Sequence, residues 1–122
     1  MREYQVEVSE PAEAEIDNAY HYLLLCSPRA ATNLRNGFAK AIQSLTQMPS
    51  RCPFAPENGR LDKPVRQLLH KNGSATYRIL FIVIESIDDN PSLVRVIRVL
   101  HGAQQPLNLP TELSGEAGID ED

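Results

Sequence analysis

The last apolar stretch of the chain, VRVIRVLHGAQ at residues 94–104, sets Arg95, Arg98 and His101 among Val, Ile and Leu. Spacing by three would suit one face of a helix, but the β-branched neighbours favour a strand. On a regular strand Arg95 and His101 share one face and Arg98 takes the other, so neither face is cleanly polar. Arginine is seldom fully buried without a partner, and the pattern therefore demands an anionic or aromatic group on at least one side. A second set of cations precedes this one: Arg60, Lys63, Arg66, His70, Lys71 and Arg78. Together they outline a candidate surface for an anionic partner.

Charge along the chain sharpens that expectation. The net charge of −4 hides a segregation, with a local sum of −5 over residues 1–25 and of +7 over residues 26–80. Residues 102–122 hold five acids and neither Lys nor Arg. A basic middle between acidic ends points to an anionic partner, against the plainer reading of an ordinary solvated surface. Cys26 and Cys52 make no CxxC, and His21, His70 and His101 lack zinc-ligand spacing, so the cysteines read as buried structural thiols and no metal or other cofactor is expected. No run approaches the roughly 20 apolar residues of a membrane span. The first residues turn acidic at once, unlike a signal peptide, and a cytoplasmic protein with no membrane partner is expected.

The elements that must position these residues follow from periodicity. Tyr4, Val6 and Val8 alternate with Glu3, Gln5 and Glu7, as in a half-buried strand. Ser9 ahead of Pro11 reads as a helix cap, and Ala12, Ile16, Ala19, Tyr20 and Leu23 form one apolar stripe. Ser27-Pro28 ends that helix and starts another, whose stripe is Ala31, Leu34, Phe38, Ala41, Ile42 and Leu45. So short a link makes a helical hairpin. Residues 49–64, rich in proline, read as a loop over the surface; two strands flank Asn72-Gly73, and residues 93–100 make the last strand. The expected fold is α+β, ordered β-α-α-β-β-β, with the first strand and the helical hairpin packed on an antiparallel sheet of about four strands. One sheet face is left without helices, and the basic residues from Arg60 to Arg78 would line a groove there. Residues 1–106 form the expected domain, and 107–122 an acidic tail without stable order.

Residues 3–104 resemble the RelE/ParE superfamily, the toxins of bacterial type II toxin–antitoxin (plasmid stabilisation) modules. The resemblance rests on YQVEVSEPAEAEID, SPRAATNLRNGFAKAIQSLTQMP, VRQLL, TYRILF and VRVIRVLHGAQ in that order. It implies a growth-inhibiting toxin neutralised by a cognate antitoxin in a hetero-oligomer, with one of two targets. RelE-like members cut messenger RNA on the ribosome without metal; ParE-like members inhibit DNA gyrase by protein contact. By resemblance Arg78 falls on the arginine set against the scissile phosphate, and His101 falls near the basic residue closing the last strand.

Metal-free RNA cleavage needs a base, an acid and cations for the developing phosphorane charge. Arg78 would supply charge, with Arg66 sharing the phosphate and His101 or His70 moving protons; Arg60, Lys63, His70 and Lys71 would track the nucleic acid. The resemblance also shows losses. Gln104 stands where arginine is common after "HGA", and no tyrosine follows in QPLNLPTELSG. The set is incomplete, which tilts the expectation toward the ParE-like target or a weak nuclease. A non-toxic homologue that only binds an antitoxin is the alternative. On plainer readings Arg78 and Arg98 pair with carboxylates such as Glu85, His101 caps a strand end, and Tyr77 and Phe81 are core.

Overall fold

The computed structural model describes residues 3–73, 75–87 and 90–102 of the 122. Strand β1 (Gln5–Val8) leads into helices α1 (Glu10–Cys26) and α2 (Pro28–Gln43). Short 3-10 turns at Ser44–Thr46 and Pro49–Arg51 follow, then strands β2 (Arg66–Asn72), β3 (Ala75–Ile84) and β4 (Leu93–His101). Serines cap both helices: the Ser9 hydroxyl accepts from Ala12 N and the Ser27 hydroxyl from Ala30 N, each at 3.2 Å. Beyond the second helix, Arg51 reaches back to the carbonyls of Ser44, Gln47 and Met48 and ties the two turns that follow it together.

The four strands form one sheet in the order β1-β4-β3-β2. It is mixed, not wholly antiparallel as expected: β1 pairs with β4 in parallel, Gln5 with Leu93 through Val8 with Val96. The cause lies in the connections. The helical hairpin and residues 44–65 together carry the chain across the sheet, the long connection that lets β2 run in the same direction as β1. Two reversals then bring β4 back alongside β1. The β2–β3 ladder closes at Asn72 with Ala75, and Gly73, at φ +64°, opens the tight turn; Asn72 keeps a negative φ and belongs to the strand.

Both faces of the sheet are covered, which corrects the expected open face. On one side Leu34 and Phe38 of α2 and Ala12 of α1 pack over Ile79, Phe81, Val94, Val96 and Val99. On the other, residues 49–64, expected as a surface loop, lay Ala55 and Leu61, with Val65, over Leu80, Ile82, Ile97 and Leu100. The reason is visible in β3 itself. ILFIVI at 79–84 is apolar at every position, and a strand apolar on both faces needs a layer on each. The segment is tied to the β2 edge by Gln67 N to Pro53 O (3.0 Å) and Ala55 N to Val65 O (2.9 Å).

A register shift breaks the β3–β4 ladder. Leu80 faces Arg98 while Phe81 faces Val96, leaving Ile97 as an extra residue. Beside this bulge the start of α1 closes the backbone: Ser9 Oγ donates to Ile97 O (2.9 Å), and Glu15 accepts from Val99 N (2.7 Å). The other Glu15 oxygen takes the Arg98 guanidinium, with Nε at 2.8 Å. The shift also overturns the expected alternation. Arg98 and His101 lie on the helix side, while Arg95, between the inward Val94 and Val96, points the other way and meets Glu7 of β1. Ser9→Ala should therefore lose a helix cap and a sheet anchor together. The expected loss is roughly 2 kcal/mol, above the ~1 kcal/mol of an ordinary cap, measured by chemical denaturation.

Candidate functional site

The cations singled out in the sequence do not converge. Arg78 points to the face covered by residues 49–64 and is nearly buried, 7 % exposed. Its two terminal nitrogens bond the two oxygens of Glu57 at 3.0 Å each, and Gln67 Oε1 accepts at 3.2 Å. Glu57 is 0 % exposed. This is a bidentate, charge-assisted pair inside the protein. The partner is Glu57 and not Glu85, which instead accepts from Tyr4 and Ser92.

The two histidines lie on the opposite face, beneath the helices. His70, half-buried, packs against Gly37 and the Phe38 ring (5.2 Å between centroids). A Cβ on Gly37 would fall 2.8 Å from His70 Nε2, so any larger residue there would force the imidazole to shift. Nε2 is itself buried without a hydrogen-bond partner. Burial pushes the His70 pKa below its ordinary 6.5 and favours the neutral ring. Phe38 in turn meets Tyr77 (5.1 Å) and Tyr77 meets His101 (5.5 Å), a row of rings from β2 to β4. His101 is exposed at the end of that row.

Arg66 stands at the start of β2, its guanidinium 4.3 Å over the Phe54 ring and donating to Cys52 O at 2.5 Å. Cys52 is buried, and burial raises its thiol pKa against the pull of Arg51 and Arg66; Cys26, expected buried as well, is exposed. Arg60 is exposed, Lys63 lies 3.7 Å from Asp62, and Lys71 is exposed on β2. The basic groove expected on an open sheet face is therefore absent, because residues 49–64 occupy that face. Gln104 and the tail lie outside the described residues.

What the sequence reading missed is Glu57. It lies in an aperiodic, proline-rich segment, and the one signal for it is compositional: Glu57 and Asp62 are the only acids in residues 26–80. It missed as well a cleft of about 550 Å³ between α1 and the ends of β3 and β4, lined by Ala19, Tyr22, Leu23, Tyr77, Val99 and His101. Tyr22 and Leu25 on α1 are 69 % and 87 % exposed, a large apolar outlay for surface positions.

The element order, the mixed sheet and the helical hairpin define a RelE/ParE-like toxin fold. The family model for the ParE toxin of the type II toxin–antitoxin system parDE matches residues 6–106. The chain belongs to the ParE toxin family. No curated protein sequence matches it. Membership makes it a toxin of a type II toxin–antitoxin system and implies a cognate antitoxin as its partner. No helix among the described residues is long and apolar enough to cross a membrane.

Two outcomes test this geometry. Glu57→Ala strands the buried Arg78 charge and should cost about 3–5 kcal/mol of unfolding free energy, whereas the double change Glu57→Leu with Arg78→Met should cost much less. The second outcome concerns His70. Its folded pKa lies below the 6.5 of the unfolded chain, so the unfolded state binds the proton more readily. Its contribution is complete above pH 6.5 and is lost as pH falls through the depressed folded value. Denaturation midpoints measured from pH 7.5 down to about pH 5 should fall in the wild type and be flatter in His70→Gln.

Proposed function

We propose that this chain is a ParE-like toxin that stops growth by contacting DNA gyrase, not by cutting ribosome-bound messenger RNA. The observation carrying this reading is the Arg78–Glu57 pair. A phosphate-binding arginine needs its donor fork free, and here the fork is filled by a carboxylate inside the protein. Turning Arg78 to a phosphate would break both of its hydrogen bonds to the buried Glu57, at a cost of about 3–5 kcal/mol. The proton-transfer candidates add to this. His70 is packed under α2, where burial lowers its pKa, and both His70 and His101 lie across the sheet from Arg78. A phosphorane needs its cation and its proton carriers around one phosphorus, within hydrogen-bond reach. Inhibition by protein contact needs only a presented surface, which the exposed α1 side chains Tyr22 and Leu25 supply.

Induced expression alone, and then together with a cognate antitoxin, reads the toxic phenotype. Purified protein should inhibit gyrase supercoiling and leave ribosome-bound messenger RNA intact. Cleavage of that RNA with gyrase unaffected would overturn the reading. Normal growth together with tight antitoxin binding would assign the chain to the non-toxic, antitoxin-binding class instead.

A further inference from the structure

We propose that a pocket of about 340 Å³, where β2 begins and β3 ends, binds the carboxyl-terminal residue of a peptide, an apolar side chain beside its α-carboxylate. Strand alternation builds the floor of this pocket. Arg66 pairs with Phe81 across the β2–β3 ladder, so Arg66 and Val83 share one face. Glu85, two residues past Val83, lies at the same mouth, and Pro49, Phe54 and Pro64 close the apolar side.

The group that calls for a ligand is Arg66. Arg78, Arg95 and Arg98 each pair with a carboxylate of this chain, whereas the half-buried Arg66 pairs with none among the described residues. Its Nη1 donates to Cys52 O at 2.5 Å and its guanidinium carbon lies 4.3 Å over the Phe54 ring. Nε and Nη2 are left without an acceptor among the described residues. The Cys52 thiol offers no counter-charge, since burial raises its pKa against the pull of both neighbouring arginines. A guanidinium stacked on a ring and held at one corner is ordered before any anion arrives. Its remaining fork matches a carboxylate.

The rest of the wall selects among anions. Glu85, which accepts from Tyr4 Oη at 3.0 Å and Ser92 Oγ at 3.1 Å, is the other charged residue lining the pocket, and Arg66 makes no ion pair with it. A phosphodiester carries acceptor oxygens alone and would set like charges side by side. A carboxylate with an N–H on the adjacent carbon satisfies both residues. A peptide terminus has this pattern: the α-carboxylate meets Arg66, the amide N–H meets Glu85, and the side chain lies against Val83, Pro49 and Pro64. The volume stands at the small end of ligand pockets and suits a single residue. Phe54, 53 % exposed, extends the apolar wall outward for the residue before it.

Titration of the isotope-labelled full chain with N-acetyl-glycyl-leucine should move the amide signals of Phe54, Arg66 and Val83. The expected dissociation constant is on the order of 1 mM, the range for so small a ligand. The C-terminal carboxamide of the same dipeptide should bind about tenfold more weakly, and so should N-acetyl-glycyl-glycine, which lacks the apolar side chain. Arg66→Gln, which keeps a donor for Cys52 O, should bind acid and carboxamide alike. Equal binding of the two by the wild-type chain would overturn the proposal, with no variant that could misfold. Free leucine or acetate binding as tightly as the acetylated dipeptide would also overturn it, by assigning the pocket to a free amino acid or to any small anion. The readout involves neither growth nor gyrase, so it stands or falls apart from the proposed target.

Discussion

The Arg78–Glu57 pair is the constraint around which the sheet is built. Two opposite charges removed from water are tolerable only when both are present and their hydrogen-bonding capacity is met, and here both carboxylate oxygens and both terminal guanidine nitrogens are engaged. Because its two hydrogen bonds are directional, the pair favours one placement of residues 49–64 over the sheet. Apolar contact of Ala55 and Leu61, with Val65, on Leu80, Ile82, Ile97 and Leu100 would by itself be permissive of sliding. The ion pair supplies the register that hydrophobic contact lacks. The same residue that orders the second layer is thereby withdrawn from the surface, so one interaction bears on both fold and function.

On the helix side the equivalent device is the extra residue in β4. Ile97 shifts the strand by one position, and the start of α1 occupies the place this creates: Ser9 closes the carbonyl of Ile97 and Glu15 closes the amide of Val99. The N-terminal acids are drawn into the structure in this way. Glu7 answers Arg95, Glu15 answers Arg98, and Asp17 answers Arg35, whose guanidinium also lies 3.9 Å over Tyr20. Two of these pairs join the first residues of the chain to its last strand, and only Asp17–Arg35 reaches the basic middle. The Glu15–Arg98 pair, enclosed on both sides, contributes more than the other two, since Glu7, Asp17 and Arg35 are each about half exposed and screened.

Much of the architecture was legible because local signals agreed. Ser9 with Pro11, Ser27 with Pro28, the 3.6-residue stripes and Gly73 each report a short-range requirement that tertiary packing then reinforces. The parallel pairing of β1 was not legible, since strand order depends on where the hairpin delivers the chain and not on any one strand's composition. The alternation in β4 failed for a comparable reason. A bulge is one residue of backbone with no side-chain signature, and Ile97 resembles its neighbours. Residues 49–64 hid a core layer because aperiodic segments bury single side chains without repeating. The candidate site fared worst for that reason: an arginine's type is read from one position, whereas its availability depends on a carboxylate twenty-one residues away in sequence.

Covering both faces of the sheet also decides which surfaces remain for recognition. Neither face of the central strands is open, and the surfaces that the described residues present outward include the outer side of α1, the cleft at its foot and the β2 edge. Of these, α1 combines exposed apolar side chains with a neighbouring cleft, the arrangement by which protein partners gain affinity through a few buried anchors. The β2 edge is partly closed already, since residues 53–55 pair with 65–67 along it. A surface of this kind recognises another protein more readily than a phosphate backbone, which needs several unengaged cations along one track. The fold thus engages Arg78, Arg95 and Arg98 in pairs with its own carboxylates and leaves Tyr22 and Leu25 of α1 outside, which suits action by contact.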